Sequence, residues 1–108
     1  RRRLMKNLIA EAPSIAEAFF NMTAVIREHC PLTPRERELI ILSVLTANKA
    51  PLGIVTHVGR ALEAGAIKAE IVSAITLALP LSGISAVNTA LDVALETIEK
   101  LQIKSESA

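Results

Sequence analysis

Between Thr33 and Gly83 the residues that start and stop helices recur at short intervals, and the apolar residues around them repeat at three and four positions, not at two. Ile84, Val87, Leu91 and Leu95 show this spacing, which lines one side of a helix and gives no face to a strand. Thr33-Pro34-Arg35-Glu36 fits the capping box, in which a hydroxyl and a carboxylate three residues later satisfy free N–H groups at a helix start. Pro34 falls at the first helical position, where its missing N–H costs nothing. Ser14-Ile15-Ala16-Glu17 has the same pattern and predicts an earlier helix start. Asn48, Lys49 and Ala50 break the second helix, Pro51 opens a third over 51–64, and Gly65 closes it at the place that favours a left-handed residue. A fourth helix is expected over 68–79, stopped or kinked by Pro80 and Gly83, and a fifth over 85–102, with 104–108 a frayed polar tail. The expected fold is an all-α bundle of about five to six helices, with 1–108 as one domain.

The hydrophobic fraction of 51% and mean hydropathy of +0.42 are high for 108 residues, because a small monomer has a large surface to cover with polar groups. An obligate homo-oligomer is therefore expected. The net charge of +1 rests on Arg1, Arg2 and Arg3, expected to be a solvated terminus, and without them the body is slightly acidic. Neither Trp nor Tyr occurs, so no stacking platform for bases is present, and no nucleic-acid partner is expected. Cys30 is the only cysteine, which removes any intrachain disulfide and fits a reducing cytoplasm. The apolar run after Lys6 is too short for a signal peptide. Residues 71–91 carry no charge, but Pro80, Ser82, Gly83, Ser85 and Asn88 interrupt them. A helix–turn–helix buried between subunits explains that stretch better than a membrane span.

Two ionisable residues stand on faces that otherwise read as core. Glu38 shares its face with Ile41, Leu42 and Leu45, and His57 shares its face with Ala50, Gly53, Ile54, Ala61 and Ala64. The small residues beside His57 predict room next to the imidazole. Glu36 is explained by the capping box, and Arg35 and Arg37 by a solvated first turn. Glu38 also suits the positive end of a helix dipole, and His57 also reads as a packed, hydrogen-bonded core histidine. Paired, they have the composition of a general acid–base site. Counted from the intervening turn, Glu38 lies ~15 Å along its helix and His57 ~9 Å along the next, so a water or ligand is expected to bridge them. No metal site is expected, since one His and one Glu fall short of the usual zinc set and His29 beside Cys30 has no third partner. Cys30 reads as a small hydrophobe rather than a nucleophile.

The order Thr33-Pro34-Arg35-Glu36-Arg37-Glu38-Leu39, then His57-Val58 with Ala61-Leu62 and Gly65, then Glu70-Ile71, then Ser82-Gly83-Ile84-Ser85-Ala86-Val87-Asn88-Thr89-Ala90 resembles the carboxymuconolactone decarboxylase family, in the superfamily of the alkylhydroperoxidase AhpD. The resemblance covers residues 32–99. It implies an AhpD-like helical subunit that assembles into trimers or hexamers, needs no cofactor, and leaves a small molecule as a candidate ligand. In the peroxidase branch the pattern is a Glu followed by Cys-x-x-Cys-x-x-x-His. Glu38 and His57 match the Glu and the His, while the cysteine positions fall on Ala50 and Gly53. A thiolate to attack peroxide and a thiol to resolve it are both missing there, which disfavours a peroxidase. The decarboxylase branch implies acid–base chemistry on a small organic acid or lactone, with Glu38 and His57 catalytic. Asn88 would hold a substrate oxygen, with Ala50 and Gly53 beside the ligand. Arg60 is the nearest arginine to grip a carboxylate. The alternative is a non-catalytic oligomeric scaffold, or small-molecule binder, that kept the fold without the reaction.

Overall fold

A computed structural model describes residues 5–107, and Arg1, Arg2 and Arg3, with the solvated terminus expected of them, lie outside it. Among the described residues there are seven helices and no strand: α1 (Lys6–Glu11), α2 (Pro13–Glu28), α3 (Pro34–Ala47), α4 (Pro51–Glu63), α5 (Lys68–Thr76), α6 (Leu79–Ser82) and α7 (Ile84–Ser107). They form two compact units, one ending at Leu32 and the other beginning at Thr33.

The first unit is the pair α1 and α2, which pack together around a break at Ala12. The capping box expected at Ser14 is not formed. Pro13, whose fixed φ already suits a helix, starts α2 two residues earlier, so Ser14 lies inside the helix and Ala12 precedes it with no side-chain cap. Ile15, Met22 and Ile26 leave one side of α2 apolar and exposed.

The second unit holds the core. Leu42 of α3, Ile54, Val58 and Ala61 of α4, Ile71 and Ile75 of α5, and Val87, Ala90, Ala94 and Ile98 of α7 form one buried cluster. Each large aliphatic side chain sealed there contributes about 1.5–3 kcal/mol. At Thr33 the capping box is complete: the Glu36 N–H donates to Thr33 Oγ1 at 3.2 Å, and the Thr33 N–H donates to Glu36 Oε1 at 2.8 Å. Gly65 ends α4 at φ +97°, with the Ala66 N–H reaching back to the Ala61 carbonyl at 2.9 Å. Lys49 ends α3 the same way at φ +54°, and the Ala50 N–H bonds the Leu45 carbonyl at 3.0 Å.

The last third departs from expectation in three places. The fourth helix stops at Thr76, and Pro80 sits in the first turn of the separate short α6 instead of ending a longer helix. Gly83, at φ +87°, then turns the chain into α7. That helix runs through Ser107, so the tail expected to fray continues as helix. Among the described residues no helix is long and apolar enough to cross a membrane, because the uncharged stretch 71–91 is divided among α5, α6 and α7.

Candidate functional site

Glu38 sits in the second turn of α3 and His57 midway along α4, the two helices joined by the turn at Asn48, Lys49 and Ala50. Their side chains meet directly, with His57 Nδ1 2.6 Å from Glu38 Oε1 and only 12% and 14% of the two side chains exposed. No bridging group is needed. The ~6 Å mismatch in height along the helices lies within the reach of the two side chains together. A carboxylate only accepts, so with Glu38 ionised Nδ1 carries the hydrogen and donates it to Oε1, and Nε2 is the ring nitrogen left for exchange. The helix faces that carry the pair are apolar and buried one turn away, at Leu42 beyond Glu38 and at Ile54 and Ala61 on either side of His57.

The other expected site residues do not gather at this contact. The room expected beside Gly53 is taken by Leu45, whose Cδ2 lies 2.7 Å from where a Cβ on Gly53 would stand. A glycine there lets α3 and α4 approach closely. Ala50 is half-buried and lines a different feature, a cavity of about 60 Å³ between the α3–α4 turn and the start of α7. Neither Glu38 nor His57 lines it. Asn88 is exposed on α7, two residues off the face marked by Ala86 and Ala90, and it is the neighbouring Thr89 that borders the cavity. Arg60 is half-buried one turn beyond His57. In the first unit Cys30 is half-buried and His29 exposed. Among the described residues no group of three or more His, Cys, Asp or Glu side chains is placed to hold a metal ion.

One interaction near the site was not anticipated. Arg35, expected in a solvated turn, pairs with Glu70 at the start of α5. Glu70 also accepts the Ile67 N–H through Oε1 at 3.0 Å. That backbone bond, helped by the Arg35 guanidinium, holds the Glu70 carboxyl below its ordinary range. Glu36 is lowered likewise, first by the Thr33 backbone N–H and then by its hydroxyl. Arg35 lies one turn before Glu38, so the ion pair ties α5 to the stretch of α3 that presents the catalytic candidate. The only signal for it in the sequence is Glu70 three residues into a helix start, and that does not reveal a partner 35 positions away.

Comparison with the curated proteins and with the solved structures returns no match in either case. The profile of the carboxymuconolactone decarboxylase family matches residues 13–96, well over half of the chain and through both compact units. That span contains Glu38, His57 and the helices that bring them together, and the chain belongs to the carboxymuconolactone decarboxylase family.

Proposed function

We propose that the chain is a cofactor-independent acid–base lyase of the decarboxylase kind, acting on a small organic acid or lactone. The observation that carries this reading is the 2.6 Å contact between His57 Nδ1 and Glu38 Oε1 within a largely apolar surround. Loss of carbon dioxide breaks a C–C bond and leaves its electron pair on the remaining carbon framework, which must then take up one proton. In this reading His57 delivers that proton from Nε2 and recovers it from water. Glu38 fixes the tautomer and stabilises the imidazolium. A homo-oligomer, a trimer or hexamer, belongs to the same proposal and is supported by the large apolar residues left exposed, among them Leu77, Leu81 and Ile84.

The test is turnover of unsaturated lactone acids, followed by carbon dioxide release. His57→Ala is expected to lower it by about 100-fold or more, with helicity and subunit number unchanged. Unchanged turnover in that variant would sink the proposal. A second reading, a non-catalytic scaffold or binder, is favoured by one specific observation: Leu45 occupies the space beside Gly53 that a ligand near the imidazole would use. In that case Glu38 and His57 only tie α3 to α4, and replacing them with Gln and Leu changes stability and nothing else. A thiol peroxidase finds no support at Ala50 and Gly53, where its two sulfur atoms would have to be.

A further inference from the structure

Arg35 lies three residues before Glu38 on α3, so the two side chains share a face one turn apart. An arginine at that spacing is a ready partner for a carboxylate, and its planar fork can span both oxygens. Glu38 has an oxygen to offer, because Oε1 is taken by His57 Nδ1 at 2.6 Å while Oε2 bonds no other side chain among the described residues. Arg35 nevertheless turns elsewhere. Its Nη1 pairs with Glu70 Oε2, 35 positions further along the chain. Glu70 is itself held from behind, since its other oxygen, Oε1, accepts the Ile67 N–H at 3.0 Å in the first turn of α5. The backbone of α5 thereby fixes one carboxylate within reach of the Arg35 fork, and Glu38 is left to His57 alone.

We propose that Glu70 is a positioning residue for the Glu38–His57 pair: by holding the Arg35 guanidinium it keeps that cation from claiming Glu38, and so leaves the carboxylate to orient the imidazole. Arg35 chooses between two carboxylates. On a helix the order with the cation N-terminal to the anion is the weaker one, so a rival carboxylate already fixed by a backbone bond can win. With Arg35 on Glu38 instead, the guanidinium would draw off the charge that Nδ1–H of His57 donates to, and the ring would turn more freely about χ2. Nε2 would then point in no fixed direction. The strength of the ion pair is secondary: 43% and 32% of the two side chains are exposed, and a bridge so placed adds little to stability. What matters is where it leaves the cation. The consequence for turnover rests on the acid–base reading of His57, whereas the orientation of the ring does not.

The test follows the Nδ1 proton of His57 by NMR in the full chain, through its downfield resonance and its rate of exchange with water. Glu70→Gln keeps an acceptor for the Ile67 N–H but offers Arg35 no charge. It is expected to move the resonance upfield and to speed exchange by about tenfold or more. Arg35→Gln breaks the same ion pair from the other side yet releases no cation, so both readings stay at the parent values. The double variant behaves as Arg35→Gln does, a rescue that a simple tie between α3 and α5 would not give. Both single changes remove one bridge, so any general loss of stability is common to them and cancels in the comparison. With an unsaturated lactone acid as substrate, Glu70→Gln lowers kcat at unchanged KM, and adding Arg35→Gln restores it. The proton signal needs no turnover, so a chain without lyase activity still decides the positioning role, and the two proposals fail separately. Exchange unchanged in Glu70→Gln, equally fast exchange in Arg35→Gln, or a parent proton with no protection would each overturn the assignment.

Discussion

At the scale of single residues, Glu38 and His57 depend on each other for their place in an apolar surround. Their side chains are largely buried, and Glu38 Oε1 and His57 Nδ1 satisfy one another at 2.6 Å. Removing one partner leaves the other desolvated without a hydrogen bond, so His57→Leu is expected to cost about 1–3 kcal/mol in urea unfolding, and the double replacement with Glu38→Gln less than the sum. Additive losses would show that the contact contributes nothing of its own. The carboxylates in the first turns of α3 and α5 behave differently. Glu36 and Glu70 both titrate below the ordinary value near 4.5, for the backbone and side-chain reasons given above. A carboxyl depressed in the folded state stabilises it above the unfolded value and loses that contribution as pH falls through the folded one. Melting temperature should therefore drop as pH falls below about 4.5, and Glu70→Gln, which keeps an acceptor but no charge, should flatten that slope. Both members of the pair were legible in the sequence as ionisable groups on apolar faces. Their direct contact was not, because helix spacing gives heights along an axis and says nothing of the crossing or reach of side chains. Arg35 was misplaced for the same reason, since its partner lies on another helix.

At the scale of elements, the helix starts and stops that rest on backbone chemistry were readable, and those that depend on a competing neighbour were not. Thr33 with Glu36 and Gly65 do what their residue types require. Ser14 does not, because Pro13 beside it sets the helix start first. The end of α3 makes the strongest contrast, for Lys49 fills the left-handed position that Gly65 fills at the end of α4, although it carries a Cβ. Gly65→Ala is thus expected to destabilise by about 1 kcal/mol, and Lys49→Gly to be neutral or stabilising by up to about 1 kcal/mol, both read from denaturant midpoints. A loss of stability in Lys49→Gly would mean that the lysine side chain holds the turn by contacts of its own. Gly53 is a matter of packing instead. A side chain there must displace Leu45, so Gly53→Val should cost about 1–3 kcal/mol and loosen the α3–α4 contact on which the Glu38–His57 distance depends.

At the scale of the whole molecule, the high apolar fraction seen in the sequence reappears as large side chains that the folded chain leaves uncovered. Leu77 is 72% exposed, Leu81 90% and Ile84 70%, all on or beside α6, where Pro80 and Gly83 shape a short turn around them. Isolated exposed leucines are ordinary, but several large apolar side chains within one short segment mark an interaction surface. The core itself does not need them, since Ile71, Ile75 and Val87 on either side of that segment are sealed without their help. If α6 meets another copy of the chain, Leu81→Glu together with Ile84→Lys should lower the subunit number measured by sedimentation velocity while leaving the circular dichroism of the remaining helices close to that of the parent. Each exposed side chain that becomes buried in such a contact contributes on the order of 1.5–3 kcal/mol per subunit, so two charged replacements are enough to shift a micromolar association by several orders of magnitude. An unchanged subunit number in this variant would move the contact to another surface, and the apolar side of α2 at Ile15, Met22 and Ile26 is the next to be charged and measured in the same way.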